Sequence, residues 1–179
     1  MKEDIIREIE LGTVTVELVG NSLKFKGPKG EAERVFLNPK VSVTLENNKI
    51  ILKSLKGTKR EKKIIGSFES HIKNLIEGVS NLHTYKLKIC SGHFPMNVAI
   101  VGQEIVIKNF LGESVPRKVG IMPGADVKIN GTEIVVTSTN KEFAGQTAAR
   151  IESLCRITNR DKRIFQDGCY IIHKSGKDI

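Results

Sequence analysis

The pattern of apolar and polar positions predicts several short strands followed by one helix. Residues 12–31 and 41–54 alternate apolar and polar side chains around turns rich in Gly and Asn, which is typical of antiparallel hairpins. From Ile64 to Val79, apolar residues recur at helical spacing and form a single stripe. A helix with such a stripe packs on another element, and the preceding strands can provide it.

The second half of the chain repeats this pattern. Residues 94–113 align with 12–31, and residues 125–138 align with 41–54. The identical pairs in the first alignment are Val16/Val98, Val19/Val101, Gly20/Gly102, Lys26/Lys108, Gly30/Gly112 and Glu31/Glu113. A second stripe, from Phe143 to Thr158, has the spacing of the first. Chance similarity is the alternative explanation, but two helical stripes of equal spacing favour an internal duplication.

We therefore predict an α+β fold made of two tandem copies of an antiparallel sheet with one covering helix, plus a basic C-terminal tail. The predicted segments are an N-terminal repeat at 1–81, a C-terminal repeat at 82–158 and a basic extension at 159–179. The extension lies outside the repeat. We expect it to project beyond a finished domain, with its apolar residues docking it on the sheet and its basic residues facing outward.

Bulk composition indicates a globular protein of the cytoplasm. The chain has 179 residues, of which 39% are hydrophobic and 27% are charged, which is ordinary for a folded domain. It contains no apolar run of about 18 residues and no apolar secretory block near its start, so we expect no membrane span. Three scattered cysteines argue against a disulfide framework and favour a reducing compartment.

Candidate catalytic chemistry is sparse. The chain has no phosphate-binding Gly-Lys-Ser/Thr loop and no histidine obviously paired with a nucleophile, so we predict that it is not an enzyme and needs no cofactor. The alternative is a zinc site, because the spacing of Cys90 with His93 and of Cys169 with His173 suits that metal. A cysteine in an alternating strand is more often a small core residue, so we predict no metal site.

The net charge points to an acidic partner. The chain has 29 basic and 20 acidic residues, a formal net charge of +9, which attracts polyanions such as nucleic acids. One basic concentration is KGTKREKK at 56–63, just before the first helix. It is either a phosphate-binding segment or the solvated start of a helix, and the sequence alone does not choose between them.

The second basic concentration is the end of the chain, NRDKRIFQDGCYIIHK at 159–174. Arginine pairs with phosphates through two parallel hydrogen bonds, and Phe or Tyr can stack on a base. From this stretch and its surroundings we select the candidate RNA-binding residues Arg156, Arg160, Lys162, Arg163, Lys174 and Lys177. Further candidates are Arg117 and Lys118 in SVPRKVG, and Lys86 and Lys88, which alternate on a predicted strand.

The closing stretch also resembles a known family. Arg160-x-x-Arg163-x-Phe165-x-Asp167-Gly168-x-Tyr170-Ile171-x-x-Lys174 is similar to the signature of the sixth protein of the large ribosomal subunit, in its archaeal and eukaryotic form. Gln146 and the segments HFPMNV (93–98) and GSFESHIKNLIEGV (66–79) also match, so the resemblance covers nearly the whole chain. Cys169 departs from the aliphatic residue expected there, which alters packing only.

The resemblance implies a structural constituent of the large ribosomal subunit. It implies binding to 23S-type ribosomal RNA through the C-terminal domain and tail, near the base of the factor-recruiting stalk and the subunit interface. The implied partners are large-subunit rRNA and neighbouring ribosomal proteins, within the ribosome rather than in a homo-oligomer. Two other readings remain: a protein-docking module without direct RNA contact, and a zinc-dependent enzyme.

Overall fold

The computed structural model describes residues 4–46, 48–55 and 57–179. Asn47, predicted in a hairpin turn, and Lys56, the first residue of KGTKREKK, lie outside these ranges. The chain divides into two compact units, Met1–Leu82 and His83–Ile179.

The N-terminal unit contains two antiparallel sheets and one long helix. Its elements are β1 (Ile5–Glu10), β2 (Thr15–Val19), β3 (Ser22–Gly27), β4 (Gly30–Val35), β5 (Ser42–Glu46), β6 (Lys49–Ser54) and α1 (Lys59–Ser80). One sheet has the order β1-β6-β5 and the other β2-β3-β4. The predicted helical stripe is the buried face of α1, where Ile65, Ile72 and Val79 pack in one core with residues of both sheets. Each fully buried aliphatic side chain stabilises the fold by roughly 1.5–3 kcal/mol.

The start of α1 is fixed by a capping box. The Thr58 hydroxyl accepts a hydrogen bond from the Arg60 N–H, and the Glu61 carboxylate accepts one of 2.8 Å from the Thr58 N–H. The Thr58 hydroxyl also donates to Glu61, and Lys40 pairs with that carboxylate at 3.3 Å. These partners satisfy backbone donors that a helix start leaves open, which is why the helix begins here.

The C-terminal unit repeats this plan and adds two strands. Its elements are β7 (His83–Cys90), β8 (Asn97–Val101), β9 (Glu104–Lys108), a 3₁₀ turn (Phe110–Gly112), β10 (Arg117–Gly120), β11 (Ala125–Asn130), β12 (Glu133–Ser138), α2 (Lys141–Leu154), β13 (Gly168–Lys174) and β14 (Lys177–Asp178). One sheet has the order β10-β9-β8, and the other has five strands in the order β11-β12-β7-β13-β14.

The predicted tandem copies are confirmed. The order β7-β12-β11 repeats β1-β6-β5, and β10-β9-β8 repeats the three-stranded sheet of the first unit, with one helix following each set. The alternation of apolar and polar residues does not predict how the strands are grouped. In the structure, the antiparallel strands of each unit divide between two sheets.

The end of the chain belongs to the C-terminal sheet and does not project from it. Strand β13 pairs antiparallel with β7 from Gly168 opposite Cys90 to Lys174 opposite Tyr85, and Cys169 is buried in the core. In the first unit the equivalent strand β1 is an edge strand, whereas here β13 covers that edge and satisfies its hydrogen-bonding groups. The expectation of an extension beyond a finished domain is therefore wrong for residues 168–178.

Helix α2 is shorter than the predicted stripe. It ends at Leu154, so Thr158 lies beyond it, and Phe143 at its start is 37% exposed. Its buried residues are Ala144, Thr147, Ala148 and Ile151. A Cβ added at Gly145 would lie 3.1 Å from the Tyr85 hydroxyl oxygen. Because α2 is the single α-helix described in residues 83–179, the opposite side of the five-stranded sheet has no helix of this unit.

Candidate nucleic-acid interface

The helix-free side of the five-stranded sheet presents basic side chains. Along β7, Tyr85 and Leu87 are buried on the side of α2, while Lys86 and Lys88 alternate with them and are exposed. Alternate residues of a strand point to opposite faces, so both lysines project from the helix-free side. We call this side the outer sheet face.

Strand register adds an aromatic side chain and a third lysine to the outer sheet face. Tyr170 on β13 lies directly opposite Lys88 and is 42% exposed. On the other side of β7, Val135 of β12 lies opposite Lys86, and Lys128 of β11 lies opposite Val135. Directly paired residues share a face, so Lys128 belongs to this surface. Sequence reasoning missed it, although its position between Val127 and Ile129 carries the alternation signal.

Four candidate residues lie in the connection from α2 to β13, residues 156–166, which we call the basic loop. Its basic side chains, all exposed, are Arg156, Arg160, Lys162 and Arg163. The Arg160 guanidinium lies over the Phe165 ring, 4.9 Å from its centroid, a cation–π geometry that orients the charge. Within the described ranges, neither Arg156 nor Lys162 forms a salt bridge.

Arg163 differs because it already has an acidic partner. Its Nη2 lies 2.7 Å from Asp161 Oδ2, and its Nε donates to the same carboxylate. The pairing holds the pKa of Asp161 below its usual range and raises that of Arg163. The pair is exposed, so the attraction is screened and an external phosphate can compete for the guanidinium.

Asp167 ties the basic loop to the end of β7. Its carboxylate accepts hydrogen bonds from the backbone N–H groups of Gly92 and His93, at 2.5 and 3.3 Å, and lies 3.3 Å from His93 Nδ1. Burial acts to raise the pKa of Asp167, but these bonds outweigh it and lower that pKa overall. The His93 ring lies on Phe165 with 4.7 Å between centroids, so loop 91–93 supports the ring on which Arg160 rests.

The structure gives Arg117 an internal role. Its guanidinium makes two hydrogen bonds to Glu113, of 2.8 and 2.6 Å, and donates to the backbone carbonyls of Leu154 and Arg156. It also lies 4.2 Å from the centroid of the Phe110 ring. Most of the donors of this guanidinium are therefore occupied within the protein, which leaves few of them for a phosphate, and RNA binding by Arg117 stays a prediction. Its neighbour Lys118 on β10 is exposed and stays a candidate.

Lys174 and Lys177 lie apart from the other candidates. They are paired with each other, and Lys174 is opposite Tyr85, whose side chain faces α2. A β-bulge between Ile171 and His173 shifts the register and places Lys174 on the side away from Lys88. Four residues of strand, about 13 Å, separate Lys174 from Tyr170. The closing stretch is thus divided between two faces.

The four residues of the zinc alternative are dispersed. Cys90 lies opposite Gly168, while Cys169 is buried on the other face of the sheet. His173 is opposite Lys86, which is four residues, about 13 Å, along β7 from Cys90. Throughout the described ranges, no group of three or more His, Cys, Asp and Glu residues could hold a metal ion.

Comparison with known proteins identifies the family. The family model described as ribosomal protein L6 matches residues 12–81 and 94–168, one match for each copy of the repeat. The chain belongs to the ribosomal protein L6 family. Its relatives in this family include the large ribosomal subunit protein uL6 of Methanococcus vannielii, 44% identical over 174 residues that cover 97% of this chain and 96% of the relative.

Two further members of the L6 family are similarly close. The uL6 protein of Nanoarchaeum equitans is 43% identical over 93% of this chain and 91% of its own length. That of Methanosarcina mazei is 43% identical over 98% of this chain and its entire length. The matched regions of the L6 family model include the basic loop and end at Gly168, the first residue of β13. Among the residues described, this L6 family member has no helix long and apolar enough to span a membrane.

Proposed function

We propose that this chain is a structural constituent of the large ribosomal subunit and binds large-subunit rRNA through its C-terminal unit. The observation that carries the proposal is that exposed basic side chains share the outer sheet face with Tyr170. Lys88 lies directly opposite Tyr170, Lys86 and Lys128 lie farther across the same face, and the basic loop leads into β13. An exposed aromatic ring among cations on a sheet is a combination that suits RNA.

The proposed mechanism is shape recognition with phosphate neutralisation. Structured RNA is bound mainly through phosphates and 2′-hydroxyl groups, and these contacts position a protein without reading a long sequence. Arg160 is held over Phe165, and Phe165 is supported by His93, so the cation is oriented before RNA arrives. Neutralising phosphates where rRNA segments meet would stabilise their folded arrangement. No catalytic step is required for this role.

The proposal extends to neighbouring ribosomal proteins as partners and to a position near the base of the factor-recruiting stalk and the subunit interface, which the family resemblance implies. Hydroxyl-radical cleavage from an iron chelate tethered to a single surface cysteine, in reconstituted large subunits, tests the position. Cleavage confined to rRNA remote from the stalk base would contradict it.

The test of RNA binding is a salt series with transcribed large-subunit rRNA. If about six phosphates are neutralised, log affinity falls with log salt at a slope of about −4 to −5. Lys88→Gln/Lys162→Gln should make the slope shallower by about 1.5. The charge-matched control Lys29→Gln/Lys53→Gln alters two exposed lysines of the N-terminal unit outside KGTKREKK and should leave the slope unchanged. A native slope near −1, or equal effects of both variants, would contradict the proposal.

A protein-docking module without RNA contact is the second candidate. The observation that favours it is a group of exposed apolar side chains in the N-terminal unit. Val19 and Val35 are both paired with Ser22, from its two sides, at one end of the sheet β2-β3-β4, and exposed Leu37 follows β4. Apolar docking responds little to salt. The salt series therefore separates the two candidates, and an incorporation defect of Val35→Ser with normal rRNA affinity would add a protein partner to the RNA.

A further inference from the structure

The outer sheet face contains an open hollow that the proposed phosphate contacts do not use. It has a volume of about 760 Å³ and lies between loop 91–93 and the start of β13. Cys90, His93, Ile164, Gln166 and Tyr170 line it. Its walls are mostly apolar, although it opens on a surface whose neighbouring side chains are basic.

Two large apolar side chains of the wall are exposed to solvent. Ile164 is 63% exposed and Tyr170 is 42% exposed. The Tyr170 hydroxyl donates a 3.1 Å hydrogen bond to the Gln166 carbonyl, and its ring lies over Gly168, where an added Cβ would meet the ring at 3.3 Å. The ring is therefore held in one orientation with a face available. Rigid aromatic surface loses little conformational entropy when a ligand stacks on it.

The charges around the hollow favour a particular kind of occupant. The one acidic residue at the hollow is Asp167, whose carboxylate is buried and accepts hydrogen bonds from Gly92 and His93. A phosphate inside would face this carboxylate and apolar carbon. Around the rim, Arg160 rests on Phe165, and Lys88 lies opposite Tyr170. This arrangement of charges favours phosphates at the rim and an uncharged planar group inside the hollow.

We propose that the hollow takes one unpaired nucleobase of the bound RNA, with its face against Tyr170 and its edge near Ser91 and Gln166. This inference rests on the proposed function, because the base enters only when the RNA backbone is held by the basic loop and the outer sheet face. Single bases splayed from loops or bulges are the parts of structured RNA that stack on aromatic side chains. Tyr170 is then a base-stacking residue rather than only a docking residue of the tail.

The test compares Tyr170→Leu with native protein in the salt series on transcribed large-subunit rRNA. Loss of base stacking should weaken binding roughly 10-fold to 100-fold at every salt concentration. The slope should stay at the native value, because no phosphate contact is lost. Tyr170→Phe keeps the ring and should remain much closer to native. Thermal melts of each variant establish that it is folded.

Ultraviolet cross-linking of the unmodified complex gives a second readout that needs no variant. Cleavage after Arg163 and Lys174 releases one peptide, residues 164–174, that contains Ile164 and Tyr170. Mass spectrometry should find this peptide carrying a nucleotide on Tyr170. Zero-length cross-linking requires a base in contact with the ring, which a phosphate bound to the rim does not provide.

The outcomes separate this inference from the function on which it rests. The native salt slope could be steep while Tyr170→Leu has no effect and residues 164–174 carry no cross-link. That result would overturn the binding of a nucleobase in the hollow and leave rRNA binding intact. A reduced slope in Tyr170→Leu would overturn it in favour of indirect phosphate positioning. Unchanged rRNA affinity with poor incorporation of Tyr170→Leu into subunits would show that a protein side chain fills the hollow. A shallow native slope would remove the proposed function itself.

Discussion

Arg117 donates a hydrogen bond of 2.7 Å to the backbone carbonyl of Leu154, the last residue of α2. The last carbonyls of a helix lack partners within it, and a positive charge at this end is favourable. The same guanidinium is hydrogen-bonded to Glu113, which precedes β10. Arg117 therefore connects the segment before β10 with the end of α2. It holds the end of α2 and the first residue of the basic loop, Arg156, in place.

Arg117→Lys should therefore destabilise the C-terminal unit. A lysine cannot reproduce the two parallel hydrogen bonds to Glu113 together with the bonds to the helix end, so we expect a loss of about 1–3 kcal/mol in the free energy of unfolding. Both tyrosines of the chain lie in this unit, so tyrosine fluorescence during urea unfolding measures the change. The exposed neighbour Lys118→Ala is the control, with an expected effect within about 0.5 kcal/mol. Equal effects of the two substitutions would refute the internal role of Arg117.

Asp167→Asn should loosen loop 91–93. The substitution removes the charge that receives the bonds from Gly92 and His93, and we expect about 1–3 kcal/mol of destabilisation. Because the folded pKa of Asp167 lies below its ordinary value, the native advantage over the variant is present above pH about 4 and shrinks as the pH falls through the folded pKa. Amide hydrogen exchange of Gly92 and His93 should accelerate at neutral pH. Unchanged exchange of these two amides would contradict the role of Asp167 in holding loop 91–93.

The capping box at α1 makes a second pH-dependent contribution. Hydrogen bonds from the Thr58 hydroxyl and backbone N–H lower the pKa of Glu61 to about 2, with Lys40 adding a smaller effect. Its stabilisation is complete above the unfolded value of 4.5 and is lost as the pH falls toward 2. Calorimetric melting should show a gap between native protein and Glu61→Gln that is widest above pH 5 and closes toward pH 2. A gap independent of pH would exclude ionisation of Glu61 as the cause.

Removal of the cap itself is a separate change. Thr58→Ala should cost about 1 kcal/mol and lower the melting temperature of the N-terminal unit by about 4–8 °C. Thr58→Ser keeps the hydroxyl and should stay near native. Binding to rRNA should be unaffected by either substitution, since α1 lies outside the proposed interface.

Asp161 should restrain RNA binding by occupying Arg163. The two side chains meet at 2.7 Å, so Asp161→Asn frees the guanidinium and should make the salt slope more negative by about 0.7–0.9 as affinity rises. Glu46→Gln changes the net charge equally but lies on β5 of the N-terminal unit, and it should have no such effect. Equal gains from both substitutions would attribute the effect to overall charge rather than to the release of Arg163.

Cys90 should be the first of the three free cysteines to react. Cys90 is partly exposed and lines the hollow, whereas Cys155 and Cys169 are buried. A hydrogen bond with Cys155, together with burial, raises the pKa of the Cys169 thiol, and the thiolate is the reactive form. Alkylation of the native protein should modify Cys90 first, and bound rRNA should protect it. Labelling of Cys169 before Cys90 would contradict this order, and unprotected Cys90 would count against an occupied hollow.

The sequence by itself determined the repeated α+β plan and the types of residue in the proposed interface. Alternation in the strands, the stripe along α1 and the basic-aromatic composition around Phe165 and Tyr170 are local properties, and local patterns can be read from one segment at a time. The outward projection of Lys86 and Lys88 can also be predicted from the sequence, because it follows from their alternation with Tyr85 and Leu87.

Only the tertiary structure decided which basic side chains are available and which face they share. Arg117 is occupied because Glu113 and the end of α2 meet it in space, and no local pattern encodes that meeting. Lys174 lies away from Lys88 because a bulge changes the register between two strands that are about 80 residues apart in the chain. Partners and register depend on long-range pairing, so the hollow beside Tyr170 exists only once β13 has paired with β7.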